Sequence, residues 1–109
     1  MIKDTVSKIE AHIGQSGVKD DSKAELLTLL GTLKSEIDEL SKTHGEAAQS
    51  IAGFTQVSAH EATREEPNPA LVQQSLQGLA ASVEGFEGTH PRLVAIVNRI
   101  CTTLSNLGI

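Results

Sequence analysis

The chain has 109 residues, enough for one domain, and carries fourteen acidic against nine basic side chains, two aromatic residues and one cysteine. A single cysteine excludes an internal disulfide and a cysteine-based zinc site. No apolar run approaches the ~20 residues that span a bilayer, and Met1-Ile2-Lys3-Asp4 lacks the apolar core of a secretion signal. The expectation is a cytoplasmic protein.

The charge is uneven along the chain. Residues 1–66 hold seven basic and twelve acidic groups, whereas residues 67–109 hold two of each. Arg64, Arg92 and Arg99 are the only arginines, and they lie far apart. Phosphate binding needs a basic face, and single-strand binding adds aromatic platforms. The expected partners therefore include neither nucleic acid nor an anionic membrane.

Apolar residues recur at alternating spacings of four and three, the mark of one helix face. Ile2, Val6, Ile9 and Ile13 predict a helix over about 2–14, with Gly14 and Gly17 as its stop. Ser22-Lys23-Ala24-Glu25 reads as a capping box. It opens a helix over 22–42 whose seam is Leu26, Leu30, Leu33, Ile37 and Leu40, with Lys34, Asp38 and Lys42 spaced for pairing on its outer face. The register continues more weakly through His44, Ala47, Ile51 and Phe54. Two readings stand here. Either the chain breaks near His44-Gly45, or one helix runs on to residue 62 as a rod of roughly 60 Å.

Pro67 and Pro69 make 63–68 a linker, and Asn68 caps a helix that opens on Pro69. That helix is expected over 69–87, with Val72, Leu76, Leu79, Val83 and Phe86 as its seam. After Gly88, Thr89 or His90 caps a last helix over 91–107 with a wide stripe of Leu93, Val97, Ile100, Leu104 and Leu107, flanked by Val94 and Cys101. The fold expected is all-α, a single domain over 1–109. It is an antiparallel bundle or coiled-coil-like hairpin of about four helices.

Phe86-Glu-Gly-Thr-His90-Pro91-Arg-Leu93, followed by Leu104-Ser-Asn-Leu107-Gly108-Ile109, resembles a family of short bacterial proteins, the domain of unknown function numbered four-four-zero-four. Its members share a helix ending in Phe-x-x-x-His-Pro and a last helix closing at Gly-Ile. The resemblance is strongest over the C-terminal third, and the stretch from Thr43 to Pro67 looks longer than the family linker. It implies a bacterial, all-helical, cytoplasmic protein and supplies no activity.

Candidate chemistry is sparse. Glu87-x-x-His90 has the spacing of a di-iron bundle ligand pair, but only one copy exists and it precedes Pro91. His60-Glu61 begins a run that has Arg64 where a zinc protease has its second histidine. His60, Glu61, Glu87 and His90 are thus weak metal candidates, and no metal, cofactor or catalytic set is expected. His44 and His90 fall on extrapolated seam positions. They read either as a pH switch or as histidines at bends near water. Cys101 reads as a buried, inert thiol.

Small residues are the more informative feature. Gly78, Ser82, Gly85 and Thr89 fall at helical spacing on one flank. Gly78 and Gly85, placed inside a helix, sacrifice propensity, which points either to a close helix contact or to tolerance on an exposed flank. Ile51 and Phe54 join Gly78, Ser82 and Gly85 as interface candidates, because a rod over 22–62 would need a partner for its seam. The leading expectation is a non-enzymatic interaction module that self-associates as a dimer and binds another protein. The alternative is a small-ligand- or metal-responsive regulator using histidines near helix bends.

Overall fold

The computed structural model describes the backbone of residues 2–108 and the side chains of residues 4–107. The seam position Ile2 and the closing Ile109 lie outside the side chains so described. The described residues form five helices, α1 (Ile2–Gln15), α2 (Asp20–Ser41), α3 (Gly45–Ala62), α4 (Pro69–Ser82) and α5 (Pro91–Gly108). The count is five rather than about four because the stretch 22–62 is two helices.

The seams fold inward as one core. Val6, Ile9 and Ile13 of α1, Leu26, Leu30, Leu33, Ile37 and Leu40 of α2, and Leu93, Val97, Ile100 and Leu104 of α5 are all buried. Burying such a side chain fully contributes about 1.5–3 kcal/mol, which far outweighs local propensity. The linker lies where two prolines forbid a helix, and the Asn68 side chain accepts from the N–H groups of Ala70 and Leu71 at 3.0 and 3.4 Å.

Several local expectations are corrected. The long rod does not form, since the molecule extends only 38 × 24 × 21 Å. The break sits at His44, whose backbone (φ −135°, ψ 64°) is not helical. Its N–H closes α2 on the Leu40 carbonyl at 2.8 Å, and its own carbonyl opens α3 by accepting from Ala48 at 3.0 Å. Folding α3 back on α2 buries both seams within one chain. The capping box is also absent: α2 starts at Asp20, with Lys19 at the cap and no side-chain cap bond. Gly14 lies inside α1, and neither it nor Gly17 takes a left-handed backbone. Ser16 ends that helix instead, its hydroxyl and N–H both donating to the Ile13 carbonyl. Lys34 reaches across to Glu10 of α1, and Lys42 pairs with Glu39.

Helix α3 touches all four other helices. Its buried residues explain how: Ala48, Ala52, Thr55, Ala59 and Ala62 recur at spacings of four and three, a strip of short side chains that lets neighbouring helices come near. The small-residue contact surface thus lies mainly on α3 and faces inward. Phe54, which the extrapolated register places on the seam, is instead 40 % exposed.

Candidate functional site

Two places on the fold gather the residues that could act. The first is the outer face of the α3–α4 hairpin. Residues 47–59 and 69–83 contain no Asp, Glu, Lys or Arg, so all of α4 and the middle of α3 are neutral, with Glu46 and Glu61 near the ends of α3. Phe54, Val57 and Leu71 are the exposed large hydrophobic residues among those described, at 40, 50 and 40 %. The Phe54 ring covers Gly78 of α4. A Cβ added there would fall 2.6 Å from Phe54 Cδ1, closer than carbon atoms pack, and a tight 3.1 Å from Cζ. The helices run antiparallel through the short linker. At 1.5 Å per residue, Val57 lies about 4.5 Å and Leu71 about 10 Å from the Phe54–Gly78 contact, both toward the linker end. All three side chains belong to uncharged stretches of the hairpin, and the Glu61–Arg64 ion pair follows at its linker end.

The interface candidates separate on this face. Gly78 and Phe54 meet one another, within the chain. Ile51 is wholly buried and is removed from any surface a partner could reach, because α3 turns that side to the core. Ser82 ends α4 with its hydroxyl on the Leu79 carbonyl at 2.6 Å. Gly85 is not inside a helix. It follows α4 with φ +94°, a conformation that glycine adopts without the Cβ clash, and its N–H donates to Glu87 Oε2 at 2.9 Å. Val57 and Leu71 are surface residues that the sequence analysis did not single out. Both are apolar residues off the seam, in segments without charge, and that conjunction is the signal for them.

The second place is the end of the bundle where two corners meet. His44 stands at the α2–α3 corner, and Phe86 and His90 at the α4–α5 corner. Their rings form an edge-to-face triangle, with centres 5.4 Å (His44–Phe86), 5.6 Å (Phe86–His90) and 6.2 Å (His44–His90) apart. His44 is exposed and His90 half-buried, so both lie at bends in reach of water. Each has its Nδ1 hydrogen-bonded to the threonine before it, Thr43 Oγ1 at 2.8 Å and Thr89 Oγ1 at 3.0 Å.

The metal candidates are not assembled as their spacing suggests. Glu87 is turned to the Gly85 N–H. His60 Nε2 stands 3.9 Å from Glu61 Oε2, but the two are distant in sequence from that corner, and Glu61 pairs more closely with Arg64, at 3.0 Å. Among the described residues no three His, Cys, Asp or Glu side chains stand close enough to hold an ion together. Cys101 is half-buried rather than buried, beside the Leu76 carbonyl, and burial pushes its thiol above the usual range. No described helix is long and apolar enough to cross a membrane.

The family described as Domain of unknown function (DUF4404) matches residues 26–109. The matched span takes in the whole of α3, so the stretch from Thr43 to Pro67 lies inside it. No curated protein and no solved structure matches the chain.

Proposed function

The chain belongs to the DUF4404 family, and on that premise we propose that it is a non-enzymatic helical protein that binds a second copy of itself through the outer α3–α4 face. The observation carrying this reading is the coincidence of the exposed Phe54, Val57 and Leu71 with segments that hold no charge. Interface cores are depleted of charged residues and enriched in aromatic ones. Two copies that each carry a net charge of −5 repel one another least where neither presents a charge. The contact would be isologous, with Phe54 as its anchor.

Its strength follows from the areas still to be covered. Burying the exposed part of the three side chains contributes about 2–4 kcal/mol per copy. Doubled by symmetry, this only meets the lower part of the roughly 4–15 kcal/mol cost of association. The dimer is therefore weak and concentration-dependent. The test is sedimentation velocity over a wide concentration range. The expected result is a monomer–dimer equilibrium that Phe54→Glu and Leu71→Lys each abolish while the helical spectrum is kept. A wild-type chain that stays monomeric at every concentration, or a dimer indifferent to both substitutions, overturns the reading.

A further inference from the structure

The four histidines are scattered along the sequence, yet each stands beside another from a different element. His12 of α1 and His60 of α3 have ring centres 6.0 Å apart, and His44 and His90 have theirs 6.2 Å apart. The two pairs differ in which ring nitrogen is occupied. His12 Nε2 is bonded to Thr63 Oγ1 at 2.8 Å, and that hydroxyl donates its own proton to the Ala59 carbonyl. Nε2 of His12 must then carry the proton and donate, so it is not available as a ligand. At His44 the other nitrogen is engaged: Nδ1 lies 2.8 Å from Thr43 Oγ1. With the proton on Nδ1 and donated to that oxygen, the Nε2 lone pair is left for a ligand. His90 repeats the Thr-His arrangement with Nδ1 on Thr89.

We propose that His44 and His90 form a two-histidine site for a divalent first-row transition-metal ion, Zn2+, Ni2+ or Cu2+. Imidazole suits these ions. A hydrogen bond on the other ring nitrogen is the usual device that fixes tautomer and orientation in a ligating histidine, and here the preceding threonine supplies it at each position. An Nε2–metal distance of about 2.0–2.1 Å puts the ion about 3.2 Å from each ring centre, so two rings on one tetrahedral ion stand about 5 Å apart. The observed 6.2 Å requires an approach of about 1 Å, within reach of the torsions of the exposed His44. Phe86 packs nearly perpendicular to both rings and lines the same corner. Two protein ligands leave the other positions to water, so the ion exchanges readily. Because His44 precedes α3 and His90 follows α4, the ion ties together the end of the α3–α4 hairpin that the linker leaves open.

The test is a titration of the full chain with each of the three ions, following thermal unfolding by circular dichroism. The expected result for at least one ion is one ion per chain and a rise in Tm of about 5 °C at tenfold excess over Kd. His44→Ala and His90→Ala should each weaken binding tenfold or more, while His12→Ala and His60→Ala leave it unchanged. No rise with any ion overturns the proposal. So does a rise that survives loss of His44 or His90, or a doubling of mass at half an ion per chain. If either variant fails to fold, nuclear magnetic resonance of the wild-type chain decides: substoichiometric Cu2+ should broaden the ring signals of His44 and His90 first. Broadening that starts at His12 and His60, or is equal at all four, overturns it.

Discussion

Replacing Gly78 by alanine sets two effects against each other. Alanine is favoured over glycine inside a helix by about 1 kcal/mol, so at an open position the substitution stabilises. At Gly78 the new Cβ meets the Phe54 ring, 2.6 Å from Cδ1. The backbone cannot yield, so the ring swings outward. Phe54 is 40 % exposed, so rather more than half of the ring's burial is at risk, about 1–2 kcal/mol of the 1.5–3 kcal/mol that a fully buried side chain contributes. In the wild-type chain, Gly78→Ala is therefore neutral or up to about 1 kcal/mol destabilising. In a Phe54→Ala background the clash is gone, and the same change stabilises by about 1 kcal/mol. The coupling energy is about 1–2 kcal/mol, in the range found for residues in contact. Urea unfolding should be followed by far-ultraviolet circular dichroism, because the chain has no Trp or Tyr to report by fluorescence. Equal effects in both backgrounds, within about 0.5 kcal/mol, would refute the close contact.

Gly85→Ala should cost about 1–2 kcal/mol, because φ +94° is strained for any side chain; an unchanged Tm would show that the turn relaxes. Ser58→Ala should raise stability by about 1 kcal/mol, because the Ser58 hydroxyl is buried without a partner. A loss of stability would mean that the hydroxyl is bonded after all. Asn68→Ala should lose about 1 kcal/mol by urea unfolding, as a side-chain cap on two N–H groups is removed. Cys101 should react more slowly with a thiol reagent than an unfolded thiol does at the same pH. Its raised pKa means that the folded state holds the proton longer. Its contribution to stability is then full below the unfolded thiol's pKa and falls as the pH rises through it, and Cys101→Ala should remove that dependence.

The face on which proposed function rests was half legible in the sequence. Phe54 and Gly78 stood out, one as a rare aromatic and the other as a costly helix glycine, but nothing in a linear register says that the ring covers the glycine. The histidine pairs were not legible at all. His44 and His90 meet because two separate corners, each set by a local break, are brought to the same end of the bundle. The spacing Glu87-x-x-His90 suggested a helical pair. It dissolved because α4 ends at Ser82 and the Gly85 N–H in the following turn takes the Glu87 carboxylate.

The sequence alone determined the all-helical class, the seams of α1, α2 and α5, the proline linker and the Asn68 cap. Each of these rests on interactions within a few residues, or on a period that any core would reward. Tertiary structure decided the rest. Whether residues 22–62 form a rod or a hairpin depends on what covers the small residues of α3, and only four surrounding helices can do so. That burial outweighs the modest helical preference of the residues around His44, so the chain turns back. The turn presents a neutral α3–α4 face outward and sets His44 against His90.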